Sequence, residues 1–472
     1  MSRPVIVVGG GVGGLAAAIT LAARGVPVTL CEASARLGGL AAPLVAGGVR
    51  FDAGPYLLLD PVGLRWAFDA LDLAVEALAL RRVRDVYEVE ADDAPPLPVY
   101  ADLDETCSAL DRALPGQGPR YRRFIAETTK IHAALAPLQL RPRPRAWSLV
   151  QAGALRHAPF LARSLGGVLR RAGLSEPVAR AISIWTRIAG QDVDAAPSLL
   201  ALAPAMIHGP GCFVPARGVA AVVEAVLARA RDLGITLRTG ARVAKILTDA
   251  RRVTGVALTT GEQLPARAVI SDASGVATLL ELADTPARTR RRVAALPLQS
   301  PGVAAYLIAE RPSQGPYLRF RCAQAEGATT CRLIVRPGAL EGATPGPSPL
   351  RVVAPLDHAV AERLDAAGQG AALDRVLAEP WVQQNVDAAR EVARLVPATW
   401  GRRVVLHRDS MNPTMTARFM RQGRLPHRIT CPEGLFLVGS ATHPGQWVSF
   451  CLISGVLGAR ALLEAWGAAP AH

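Results

Sequence analysis

The chain has 472 residues, half of them hydrophobic, and its 53 basic residues against 39 acidic ones give a formal net charge of +14. That length and apolar content exclude a disordered chain and allow two domains with sizeable cores. The charge asks for an anionic partner, nucleic acid or a membrane surface, but no aromatic-interleaved basic groove or finger spacing supports nucleic acid. The seven cysteines are odd in number, scattered and without a C-x-x-C pair, which reads as reduced thiols in a cytosolic protein. The histidines are dispersed, with no ligand spacing, and point away from a metal site. The first strand begins by Val5, which leaves no room for a cleaved signal peptide, and no run of twenty apolar residues is present to span a bilayer.

The charge-free, β-branched run Val5-Ile6-Val7-Val8 predicts a strand buried on both faces of a parallel sheet. A glycine cluster breaks it in a G-x-G-x-x-G frame. Gly9 makes the tight turn, Gly11 allows close approach to a pyrophosphate, and Gly14 packs the next helix on the strand. Val12 and Gly13 open that helix, which runs to about Arg24 with its N-terminal amides toward phosphate, and Gly25 ends it. A second strand, Val28 to Cys31, delivers Glu32 and Ala33, where a carboxylate can accept hydrogen bonds from ribose hydroxyls. The frame predicts a dinucleotide site; the alternative is a plain β-α-β unit.

Next come Arg36-Leu37-Gly38-Gly39 and Phe51-Asp52-Ala53-Gly54-Pro55-Tyr56. At these residues the chain resembles the FAD-dependent amine oxidase and phytoene desaturase superfamily, whose members carry an R-x-G-G-R stretch after the ribose acid. Leu40 stands where that family usually has the second arginine, so the Gly38 and Gly39 amides are left to meet the phosphate. The resemblance implies FAD, with Arg36, Gly54, Pro55 and Tyr56 also beside it. No cysteine or histidine occupies a recognisable flavin-attachment position, so the expected FAD is non-covalent.

Residues from about Pro61 to Leu114 read as a helix, a strand pair around Val86 to Val99 and another helix, a pattern suited to an inserted domain. From Thr128 to Ser175 there is no acid, whereas Arg141, Arg143, Arg145, Arg156, Arg163, Arg170 and Arg171 alternate with apolar residues such as Trp147, Leu149 and Leu161. That pattern describes an interfacial helix at residues 141–171. A solvated helical pair packed on the domain is the other reading.

At Phe213 the flavin-domain pattern resumes. Pro215-Ala216-Arg217-Gly218 leads a helix to Leu233, with strands predicted at Ile235–Arg238, Arg242–Leu247, Val253–Leu258 and Ala268–Ser271. The resemblance places Val243 against the adenine through its backbone. Asp272 reads as a helix cap.

The last strong pattern is a buried strand, Gly434 to Val438, a turn at Gly439, then Thr442-His443-Pro444-Gly445 and a helix from about Ser449 to Trp466. Another helix N-terminus there, with Val448 beside it, can meet the ribityl or pyrimidine end of a flavin. T-H-P-G resembles the bacterial phytoene desaturase branch, though Gln446 and Trp447 replace small residues common there. His443 is a weak catalytic candidate beside Gln446 and Trp447; its alternative is a turn histidine bonded to backbone.

The expected fold is α/β. A Rossmann-type FAD-binding domain of the glutathione-reductase and amine-oxidase kind takes residues 1–75, 210–284 and 429–472. An inserted α+β substrate domain takes 76–209 and 285–428, with a helical membrane-associating part. The resemblance implies a cytoplasmic enzyme of carotenoid biosynthesis on the inner face of the membrane, desaturating a long apolar isoprenoid or polyene by hydride transfer to flavin. Oxygen or a quinone would take the electrons. A non-redox carotenoid isomerase and a prenyl-lipid carrier of the same fold are the alternatives.

Overall fold

The computed structural model describes residues 3–142, 146–325, 328–340, 346–386 and 388–467. Five parallel strands form one sheet in the order Leu435–Leu437, Ala268–Ser271, Val5–Val8, Val28–Cys31, Thr236–Arg238. Val5–Val8 is central, which explains why all four of its residues are buried and why the sequence there carries no polar alternation. Three well-separated stretches of chain therefore build one sheet.

Helices cover this sheet. Val12–Ala22 packs against the terminal helix Val448–Ala465, and Gly455 makes that approach possible. A Cβ at Gly455 would come within 2.7 Å of the Ala16 Cβ. Among the described residues, Val448–Ala465 is the one helix long and apolar enough to cross a membrane, and 67% of it is buried inside the protein. Its apolarity is accounted for by these core contacts.

A second sheet has seven strands in the order Arg390–Leu395, Val303–Ala309, Ser348–Ala354, Ala328–Val335, Leu318–Ala325, Asp85–Ala91, Ala94–Tyr100. Only Leu318–Ala325 with Asp85–Ala91 is a parallel pair; the others are antiparallel. The helices Leu103–Ala113 and Gln117–Gln139 follow its edge hairpin.

The basic stretch folds differently from one interfacial helix. It divides into Ala146–Gln151, Ala154–His157, Ala158–Leu161 and Leu165–Arg171. Gly153, at φ +63°, ends the first piece, and Ser164 caps the last by accepting the Gly167 amide. Arg143, Pro144 and Arg145 lie outside the described residues.

Candidate functional site

A single cavity of about 1260 Å3 collects most of the residues singled out in the sequence. Its first wall is the glycine turn after Val5–Val8. Gly9 adopts φ +97°, which brings its amide to the Cys31 carbonyl at 2.8 Å. The second glycine turn lies directly on the first, with the Gly38 amide donating to the Gly10 carbonyl at 2.7 Å and Gly38 at φ +108°. Gly9, Gly11, Val12 and Gly13 face the cavity from the first turn, and Gly38, Gly39 and Leu40 from the second.

Glu32 lines the same wall, 7% exposed. Its two carboxylate oxygens accept the Gly10 and Ser34 amides, both at 2.7 Å, which fixes the acid at the tip of its strand. Ala33 and Val243 stand beside it on the cavity surface. Gly14 does not face the cavity; a Cβ there would strike the Gly9 carbonyl oxygen, so it serves helix–strand packing. Arg36 is exposed and off the wall, and Gly439 sits behind it, its amide on the Ser454 hydroxyl at 2.9 Å.

Asp272 corrects one expectation from the sequence. The helix that follows it is led by Ser274 and has no side-chain cap. The Asp272 carboxylate instead lies across the first glycine turn, where Cβ atoms at Gly11 or Gly13 would collide with it, the latter at 2.6 Å. Burial pushes its pKa up to about 7, with the Gly14 and Gly11 amides pulling down and the Glu32 carboxylate pushing further up.

The segment Gly54, Pro55 and Tyr56 closes another side of the cavity. It is held from the seven-stranded sheet by residues that the sequence reading missed. Arg351 donates to the Gly54 carbonyl at 2.5 Å and stands over the Tyr56 and Tyr306 rings at 5.7 and 5.5 Å. The Tyr317 hydroxyl donates to the Tyr56 carbonyl at 2.6 Å, and Tyr306 to that of Ala53 at 2.7 Å. No local motif marks these residues, because each lies more than two hundred positions from the segment it holds.

The last wall is the turn before the terminal helix, where His443, Gln446, Trp447 and Val448 all face the cavity. His443 Nε2 meets the Leu138 carbonyl at 3.1 Å, and burial drops its pKa to about 4, so the ring is neutral at pH 7. The Trp447 and Phe450 rings stack at 4.9 Å between centroids and 17° between planes. Gln446 accepts from Asn412 Nδ2 at 3.1 Å. Beyond this turn the cavity runs between apolar side chains that include Leu135, Leu149, Leu161, Leu199 and Met206.

These walls fit FAD. The first turn of Val12–Ala22 has no acidic residue of its own; Asp272 takes the Gly11 and Gly14 amides, Val12 and Gly13 are left facing the cavity where a phosphate would lie, and the buried Glu32 carboxylate suits ribose hydroxyls. The volume also exceeds the roughly 300–1,000 Å3 of an ordinary small-molecule site.

Known proteins agree with this geometry. The chain is 30% identical to the zeta-carotene-forming phytoene desaturase of Myxococcus xanthus over 66% of its own length and 60% of that protein's. With the hydroxyneurosporene desaturase of Rubrivivax gelatinosus the identity is 26%, over 97% of this chain and 93% of the relative. The fold superposes on a putrescine oxidase double mutant with a TM-score of 0.67 at 15% identity, covering 98% of this chain and 99% of the other. Residues 12–463 match the family described as flavin containing amine oxidoreductase, and the chain is therefore a member of that family, an FAD-dependent oxidoreductase.

Proposed function

We propose that this protein is an FAD-dependent desaturase of a long apolar polyene of the carotenoid class. The observation that carries the reading is the continuity of one cavity from the glycine turns, past His443, Gln446 and Trp447, into apolar walls. The relatives named as desaturases of such compounds, one aligned over almost the whole chain, support it. FAD supplies the two-electron oxidising power when bound. The chain's own residues bind, orient and exclude water. The apolar walls hold a saturated carbon–carbon bond in a dry site. His443 is neutral and spends its Nε2 on Leu138, so it positions the turn and does not store a proton at pH 7. The proton lost from carbon leaves to water or another weak base, and oxygen or a quinone takes the electrons in turn.

In this reading the parallel sheet and its helices, from residues 1–75, 210–284 and 429–472, carry FAD, while 76–209 and 285–428 form the substrate domain. The mouth of the apolar arm is the stretch from 146 to 161. There Trp147, Val150 and Leu155 are 67%, 43% and 52% exposed, while Leu149 and Leu161 of the same stretch line the cavity. Apolar side chains outside, arginines around them and an apolar channel behind suit peripheral attachment to an anionic membrane that stores the substrate.

The test is expression in a host that accumulates polyenes, followed by extraction and absorption spectroscopy. Products with longer conjugation are expected. Geometric isomers with no added double bond would establish the isomerase instead.

A further inference from the structure

Most acid–base groups on the cavity wall are already held by neighbours. Glu32 accepts two amides, His443 Nε2 meets the Leu138 carbonyl, and His407 Nδ1 meets Glu281 at 2.6 Å. His132 is the exception. It is half-buried on the helix Gln117–Gln139 and, with Leu135, Ala136 and Gln139, makes up the i, i+3, i+4, i+7 stripe that this helix turns to the cavity. Neither of its ring nitrogens has a hydrogen-bond partner among the described residues. Burial lowers its pKa, and the Asp60 carboxylate works against that shift. The ring is therefore neutral at pH 7, with a lone pair free to take a proton.

Asp60 is only 5% exposed and is held from three elements. It caps the helix Pro61–Ala70 by accepting the Gly63 amide at 3.0 Å. It accepts Gln139 Nε2 at 3.3 Å from the end of the His132 stripe, and the Ser449 hydroxyl at 3.1 Å from the first turn of the terminal helix. Burial pushes its pKa up, while these donors and His132 favour the charged form. Ser449 directly follows Val448 and lies two residues after Trp447, both of which face the cavity. The carboxylate thus ties the helix of His132 to the turn from which the apolar arm begins, and Leu135, one helical turn beyond His132, already belongs to that arm.

We infer that His132 is the base that receives the proton lost from the polyene, and that Asp60 is the positioning residue that stabilises the imidazolium so formed. The inference rests on the desaturase reading and names the acceptor in its proton step. One carbon gives up its hydrogen with the bonding pair, as hydride, to FAD, the oxidant. The adjacent carbon gives up its hydrogen as a proton to a ring nitrogen of His132, and the pair left behind becomes the new double bond. Water takes the proton from the imidazolium before the next turnover.

The experiment uses the FAD-loaded protein and a conjugated polyene hydrocarbon in detergent micelles. Binding is read from the perturbed flavin absorbance, and the chemical step from the anaerobic rate of flavin reduction at saturating polyene. His132→Gln should lower that rate by about a hundredfold or more and leave the dissociation constant unchanged, with flavin occupancy reporting that the variant is folded. Asp60→Asn keeps the helix cap and should lower the rate by about tenfold, an effect that vanishes in the double variant because the two residues act as one unit. A His132→Gln rate equal to wild type overturns the inference and leaves the desaturase reading standing. So does a loss confined to polyene binding with the saturated rate intact, because the ring then only packs against the substrate. Failure of every polyene to reduce the wild-type flavin overturns the desaturase reading and this inference with it.

Discussion

Asp52 accepts the amide of Val219 at 2.9 Å and that of Ala220 at 3.2 Å, across more than 160 positions of sequence. The carboxylate does for the helix Ala220–Asp232 what a capping residue does, although it comes from the segment leading to Tyr56. Gly218, at φ +79°, fits because a Cβ there would lie only 2.9 Å from both Asp52 oxygens. Asp52→Ala should therefore cost about 1–2 kcal/mol, read as a lower urea midpoint, and should weaken FAD binding by loosening the Gly54–Tyr56 wall. Unchanged stability would mean that the cap is replaced by water at no cost.

Asp272 makes a pH prediction. Its folded pKa, about 7, lies above the ordinary value of 3.8, so its contribution to stability is complete below 3.8 and is lost as pH rises through about 7. A pyrophosphate at the neighbouring glycine turn would repel the ionised form. FAD affinity of the apoprotein should thus fall above pH 7, by up to about tenfold per pH unit for one linked proton, and Asp272→Asn should flatten the profile. Fluorescence titration of the apoprotein between pH 6 and 9 measures it. Gly11→Val serves as the control at the same turn: its side chain would run into Asp272, and binding should vanish at every pH.

What the sequence discloses and what it hides follow from how local each interaction is. The turn at Gly9–Gly14, Glu32 and the Gly38–Gly39 turn are legible because strand, turn, helix and acid succeed one another at fixed spacing along one stretch of chain. Ala268–Ser271 is legible as a charge-free run, and it is paired with Val5–Val8 as its composition suggests. Arg351 and Tyr317 are not legible, since strand pairing over long separations puts them at the site. Asp272 reads as a helix cap because Asx residues before helices usually are one, and only the three-dimensional approach of the glycine turn shows otherwise. Cys322 and Cys331, scattered in sequence, face each other across a hairpin for the same reason, both as free thiols.

Attachment to a membrane can be tested at the mouth of the apolar arm. Arg141, Arg156 and Arg171 are exposed, and Arg163 is partly so, whereas Arg170 is paired with Asp194 at 2.7 Å. Changing the first four to glutamine should weaken sedimentation with anionic liposomes, each contributing about 1 kcal/mol at low salt, and added salt should weaken the wild type likewise. Trp147→Ser with Leu155→Ser should lower binding to neutral vesicles too, because those side chains act through apolar burial. Equal sedimentation of all forms at low salt would refute attachment through this segment.

Trp447 stands where the terminal helix meets the cavity. It is the N-cap residue of the terminal helix, it faces the cavity, and its ring lies flat on Phe450, which faces the cavity as well. A stacked aromatic pair presents a broad planar face, suited to the flat conjugated part of a polyene and poorly matched to a kinked saturated chain. The wild-type enzyme should therefore consume more extensively conjugated polyenes in preference to phytoene, whose conjugation is confined to a short central stretch. Trp447→Gly removes the face and enlarges the cavity. With flavin occupancy held constant, the variant should accept phytoene relatively better, through a fall in the ratio of kcat/KM values between the two substrates. If Trp447 only packs the terminal helix, the same variant should lose stability and keep the wild-type preference; if the wild type uses phytoene as readily as more conjugated substrates, the stacked pair does not select.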